Sequence, residues 1–175
     1  MSYFTRKSDL YAKIIAWLQI AGGIFGLYIM ATIMLNTENV SGALLFIILF
    51  GLSLPIFSIY CGIRLFGRAT RRLGMIVSMV NQGLQFLQFC IAGTGLSYAS
   101  GIDLTIGIKD HQLNFGFHVA SYFDMSIRTD DPSKFCINIF AIAVFIVLLQ
   151  LYRHPKEEEL NGFDENQYAD SAVSE

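Results

Sequence analysis

Four stretches of this chain contain no Asp, Glu, Lys, Arg or His: Ile14 to Leu35, Gly42 to Ile63, Leu73 to Leu96 and Phe135 to Tyr152. At 22, 22, 24 and 18 residues, each approaches or exceeds the ~20 residues that a helix needs to cross a hydrocarbon core of ~30 Å. The chain is too apolar and too sparsely charged for an ordinary soluble domain, because 54% of the 175 residues are hydrophobic and 15% charged. The pattern predicts a mainly α membrane protein, with four transmembrane helices and an extracytoplasmic β-hairpin or small β-sheet between the third and the fourth.

Charge sets the orientation. Arg6, Lys7 and Lys13 precede the first run, Arg64, Arg68, Arg71 and Arg72 join the second to the third, and Arg153 and Lys156 follow the fourth. Nine of the twelve basic residues then share one side, which the positive-inside bias makes cytoplasmic. The expected order is a cytoplasmic N-terminus (1–13), helix 14–35, an outer turn (36–41), helix 42–63, a basic cytoplasmic loop (64–72), helix 73–96, an extracytoplasmic hairpin segment (97–134), helix 135–152 and an acidic cytoplasmic tail (153–175). The first run exceeds a signal peptide's apolar region of about 7 to 15 residues and is read as a retained anchor. The tail holds seven acidic residues between Glu157 and Glu175 and is expected to be disordered.

Ser8-Asp9 is a candidate N-cap for a helix starting near Leu10, and Pro55 is expected to kink the second helix. Cys61, Cys90 and Cys136 lie inside apolar runs with no Cys-x-x-Cys spacing, which argues against a zinc site or disulfide framework and leaves only a Cys90–Cys136 bond to consider. Asn39-Val40-Ser41 matches the glycosylation sequon beside the membrane.

The third run carries an amide stripe. At 100° per residue, Ser78, Asn81, Gln82, Gln85, Gln88 and Ala92 fall within about 120° of one helix face. Amides facing lipid would lack partners, so the stripe is expected to face other helices or a wet cavity. The first run offers a small-residue surface: Ala12, Ala16, Gln19, Gly23 and Gly26 share an arc of about 80°, and Gly22 with Gly26 forms a Gly-x-x-x-Gly pair. Equal distances from the cytoplasmic end predict that Gln19 meets Ser78 or Gln82.

Between the third and fourth runs the period changes to two. Ile102, Leu104, Ile106 and Ile108 alternate with polar or small residues, and the alternation resumes at Leu113, Phe115, Phe117 and Val119 and runs on through Phe123 to Arg128. Only Ser121 breaks the apolar set. A turn centred between Asp110 and His111 makes paired residue numbers sum to 221, which keeps one face apolar and sets Asp103 opposite His118 on the other. Such a pair reads first as a cross-strand charge pair, and second as a pH sensor or the start of a metal site. The apolar face, with Phe115, Phe117 and Phe123, needs cover from lipid, further strands, other copies of the chain or a partner.

No metalloprotease motif, paired membrane aspartates, nucleophile elbow or phosphate-binding loop appears, so neither catalytic residues, cofactor nor metal is expected. The chain reads as a non-enzymatic multi-pass protein of a cell membrane. Its expected partners are the bilayer and either itself or another membrane protein met through the outer hairpin, and not nucleic acid. The alternative is a small channel or transporter for an ion or neutral solute, lined by the Asn/Gln stripe. The absence of ionisable residues from all four runs weighs against that alternative.

Overall fold

The computed structural model describes residues 3–37, 41–67, 69–91, 93–109, 112–126 and 133–153. Along them run helices α1 (Tyr3–Leu35), α2 (Gly42–Phe66) and α3 (Arg71–Gln85), then strands β1 (Leu87–Ile91), β2 (Thr94–Ala99), β3 (Ile102–Lys109), β4 (Gln112–Val119), β5 (Tyr122–Ser126) and β6 (Lys134–Asn138), and finally helix α4 (Ile139–Arg153). The strands form one antiparallel sheet in the order β4-β3-β6-β1-β2-β5. Asn39 and Val40 of the sequon, the Asp110-His111 turn centre, Ala92, Ile127, Arg128 and the acidic tail from His154 lie outside the described residues.

This architecture overturns the four-helix membrane protein. Two helical stretches, Ser8–Leu35 and Leu44–Phe66, are long and apolar enough to cross a membrane. The third run is divided between a helix, the strand β1 and the start of β2, and the fourth between a strand and a helix. Freedom from charge specifies apolarity but not period, and the period changes inside both runs. In β1, Leu87 and Ile91 are exposed while Gln88 is buried; in β6, Phe135 is exposed while Cys136 and Asn138 are buried.

Side-chain chemistry places the second junction. Asn138 Oδ1 accepts from the backbone N–H of Ala141 at 3.1 Å, an N-cap bond that starts α4 at residue 139. The Asn138 N–H donates to the carbonyl of Phe86 at 2.9 Å, which brings the α3–β1 and β6–α4 junctions together.

α1 and α2 are antiparallel neighbours, as the short turn between them predicts, and the small residues of α1 explain how closely they pack. A Cβ on Gly23 would stand 2.7 Å from the carbonyl oxygen of Pro55, and one on Gly26 3.0 Å from the Pro55 ring. Helix α2 continues on both sides of Pro55. The expected N-cap at Ser8-Asp9 is not used, because α1 already runs from Tyr3. Asp9 instead takes ion pairs from Lys13 at 2.7 Å and Arg71 at 2.6 Å. These pairs, with Arg72 stacked over the Tyr152 ring, gather the start of α1, the start of α3 and the end of α4 at one basic end. An apolar core lies nearby, formed by Ala12, Ile15, Ala16, Leu65, Met75 and Leu148.

The β3–β4 register is the one that a turn centred between Asp110 and His111 predicts, from Ile102 opposite Val119 to Lys109 opposite Gln112. The long second strand is not continuous. It breaks at Ala120-Ser121, after which β5 leaves β3 and pairs with β2.

Candidate functional site

Beyond the apolar core, the middle of the molecule is polar. Ser78 Oγ donates to Gln19 Oε1 at 2.9 Å, the contact expected from matched depths. Gln82 is buried in the same face. Ser58 Oγ, on α2, lies 3.0 Å from both the Gln19 carbonyl and Ser100 Oγ, and accepts from Asn81 Nδ2 at 3.3 Å. Gln85 Nε2 donates to the Asn81 carbonyl at 3.3 Å, and Gln85 Oε1 accepts from the Ser100 N–H at 3.0 Å. Tyr98 Oη stands 3.2 Å from the Leu54 carbonyl and 3.3 Å from Asn81 Oδ1. Five of the six predicted stripe residues, from Ser78 to Gln88, are therefore buried together. The last of them, Gln88, is a strand residue and reaches the same interior from β1.

Gln88 leads to the second cluster. Asp103 is 1% exposed. Its Oδ1 accepts from Gln88 Nε2 at 3.0 Å and its Oδ2 from Tyr122 Oη at 2.7 Å. Lys134 Nζ approaches Gln88 Oε1 at 3.5 Å. Although Asp103 and His118 are register partners, the carboxylate's bonds go to Gln88 and Tyr122. The exposed His118 ring packs edge-on to Tyr122, with centroids 6.4 Å apart. The simple Asp103–His118 charge pair is thus replaced by a buried Gln–Asp–Tyr arrangement. Among the described residues no group of three His, Cys, Asp or Glu side chains is placed to hold a metal ion. Cys61, Cys90 and Cys136 are free thiols.

The remaining residues of the polar interior escape a reading by runs. Ser100, Gly101 and Ser121 form a corner against α1: the Gly101 N–H donates to Ser121 Oγ at 3.0 Å, and Ser121 Oγ donates to the Gly22 carbonyl. A Cβ on Gly22 would meet the Gly101 nitrogen at 2.7 Å, so the Gly-x-x-x-Gly pair of α1 receives the sheet corner as well as α2. The one break in the alternation, Ser121, was the signal for this corner. Tyr122 sits on the polar parity of its strand, but nothing local marks its partner as Asp103.

Outside, the chemistry is reversed. Leu113, Phe115, Phe117 and Val119 of β4 are 65–74% exposed, and Ile108 and Ile91 continue the same face. Phe123, expected on that surface, instead packs against Gly51 and the Phe50 ring of α2. Exposed apolar side chains also cover α1, α2 and α3, among them Trp17, Phe46 and Val80. Among the described residues, buried polar side chains are nearly as numerous as buried apolar ones, while many large apolar side chains face outward. A cavity of about 10 Å³, lined in part by Gly26, Pro55, Tyr98 and Ser121, is at the lower limit for one water and lies beside the amide stripe rather than along it. Comparison with protein-family models, with curated proteins and with solved structures finds no match to this chain.

Proposed function

We propose that this chain is a non-catalytic, multi-pass integral membrane protein that acts as an oligomerising or accessory subunit, associating through the free edge of strand β4. The membrane placement rests on the two apolar helices and the many large apolar side chains exposed on the surface. Only 39% and 33% of the most apolar stretches of α1 and α2 are buried within the protein, whereas the core helix of a water-soluble domain is mostly covered. The basic end is assigned to the cytoplasm by the positive-inside bias.

The observation that carries the association reading is β4 itself. It is an eight-residue strand at the margin of the sheet, so among the described residues one side of its backbone has no ladder partner. Soluble proteins blunt such edges with charges, proline or bulges, but Gln112–Val119 contains no Asp, Glu, Lys, Arg or Pro. The opposite margin, β5, carries Asp124 and packs Phe123 along α2. Strand addition at β4 supplies main-chain bonds to a second strand, with alternate side chains setting specificity. The amide stripe is read as packing, because Ser78, Asn81, Gln85 and Gln88 bond to side chains and backbone of the neighbouring elements rather than lining a path.

Native mass spectrometry from lipid nanodiscs tests the association. An oligomer or a stoichiometric complex is expected, and a monomer with no co-purifying chain refutes it. Proline at Asn114 or at Phe115 supplies the control. Neighbouring N–H groups on an edge strand point alternately into and out of the sheet, so one of the two variants should lose association while keeping its fold.

A further inference from the structure

We infer that the β-sheet lies within the bilayer, in the leaflet away from the basic end, with its apolar face against lipid acyl chains; this rests on the reading of α1 and α2 as membrane spans. On this inference α3–β1 and β6–α4 cross the membrane as helix–strand hybrids.

Depth is the first argument. The sheet corner at Ser100, Gly101 and Ser121 seats on Gly22, which lies midway along α1 between Asp9 and Leu35, about 20 Å from each at 1.5 Å per residue. From that corner β5 runs beside the outer halves of both long helices, since Phe123 meets the Phe50 ring and a Cβ on Gly51 would touch both Phe123 and Met30. If α1 and α2 cross the membrane, the sheet shares their depth.

Length agrees. The 15 residues of α3 rise about 22 Å and the five of β1 add about 16 Å. Their sum exceeds the ~30 Å core. β6 and α4 have the same residue counts in the reverse order.

Chemistry agrees as well. The outward parity of β1, β3, β4 and β6 holds only Leu, Ile, Phe and Val. The inward parity holds small and polar residues such as Gln88, Asp103, Thr105 and Gly116. Along β3 and β6 the first charges that are not buried are Lys109 and its register partner Lys134, at the end away from the corner, whereas β5 exposes Asp124 three residues after Ser121 of the corner. Seven residues separate Lys109 from Ile102, about 23 Å of strand; even at a 45° tilt this rises about 16 Å, which carries the lysines from mid-bilayer past the ~15 Å half-core. Open backbone is costly in lipid. The two margins converge where His118 meets Tyr122, and the remaining β4 edge is the one assigned to association.

Depth-dependent fluorescence quenching tests this on the full chain. Trp17 is the single tryptophan and is exposed on α1. In phosphatidylcholine vesicles brominated on the acyl chains it reports whether the long helices are in the bilayer, and an unquenched Trp17 overturns the membrane reading itself. In a Trp17→Phe background, Phe117→Trp and Leu113→Trp lie about 13 Å apart along β4. Phe117→Trp is expected to be quenched at least ~2-fold more by bromines near the chain ends than by bromines near the headgroups, with the order reversed for Leu113→Trp. Quenching by aqueous acrylamide but not by bromolipid places the face in water and overturns the inference while Trp17 stays quenched. Protection from both quenchers means that protein covers the face, and also overturns it. On the unmodified chain, a photoactivated acyl-chain diazirine in the same vesicles should label the 113–119 peptide; labelling confined to the long helices refutes the inference without any substitution.

Discussion

Asn138→Ala tests the junction that divides the fourth apolar run. Asn138 is 0% exposed, and its Oδ1 accepts from the Ala141 N–H at 3.1 Å and, less closely, from the Leu104 N–H at 3.4 Å. Loss of an N-cap acceptor costs about 1 kcal/mol. The Leu104 bond is at the long limit and adds at most about 1 kcal/mol. The expected loss is therefore about 1–2 kcal/mol, or roughly 5- to 30-fold in the folded-to-unfolded ratio. Asn138→Ser retains an oxygen at the cap and should recover about half of the loss. The measurement is reversible denaturation in mild detergent, followed by far-ultraviolet circular dichroism, with the three proteins compared at one detergent concentration. An Asn138→Ala protein as stable as wild type, or an Asn138→Ser protein no better than Asn138→Ala, would refute the claim that this side chain starts α4.

Two further substitutions probe the interior. Gly22→Ala drives a methyl against the Gly101 backbone and should destabilise by about 1–3 kcal/mol, whereas Gly83→Ala, in α3 with open space around it, should stabilise by up to about 1 kcal/mol; equal effects in thermal melts would contradict the packing of the sheet corner on α1. Tyr122→Phe removes the donor to Asp103 Oδ2 and should cost about 1–3 kcal/mol, with a coupling of at least ~0.5 kcal/mol to Asp103→Ala in a double-mutant cycle. Strictly additive losses in that cycle would show that the two side chains do not act on each other.

Much of the interior was legible from local pattern. A stripe of amides at helical spacing has to be buried in an apolar chain, so Ser78, Asn81, Gln82 and Gln85 could be assigned to the inside without knowing their partners, and matched depth narrowed the partner of Gln19 to Ser78 or Gln82, of which the fold selects Ser78. Alternation on both sides of a polar turn likewise set which residues of β3 and β4 share a face, and the register follows once the turn is centred between Asp110 and His111. The error lay at the ends of the third and fourth runs. Leu87–Ile91 and Phe135–Asn138 are short and apolar, and at that length periodicity does not separate strand from helix.

What the sequence determined by itself was the sidedness of the molecule: which residues are apolar, which faces are polar, and which end is basic. These follow from composition and period, which are local. What only the tertiary structure decided was the partner of each group. β1 and β6 become strands because a neighbouring backbone is present to complete their ladders, with Gln88 set beside Cys136 and the Asn138 N–H bonded to Phe86. Asp103 passes from His118, its neighbour by register, to Tyr122, which lies across the curled sheet. Most backbone and buried polar groups find a partner, and contacts between residues distant in the chain determine which, although among the described residues Gln19 Nε2 and Asn138 Nδ2 are buried without one.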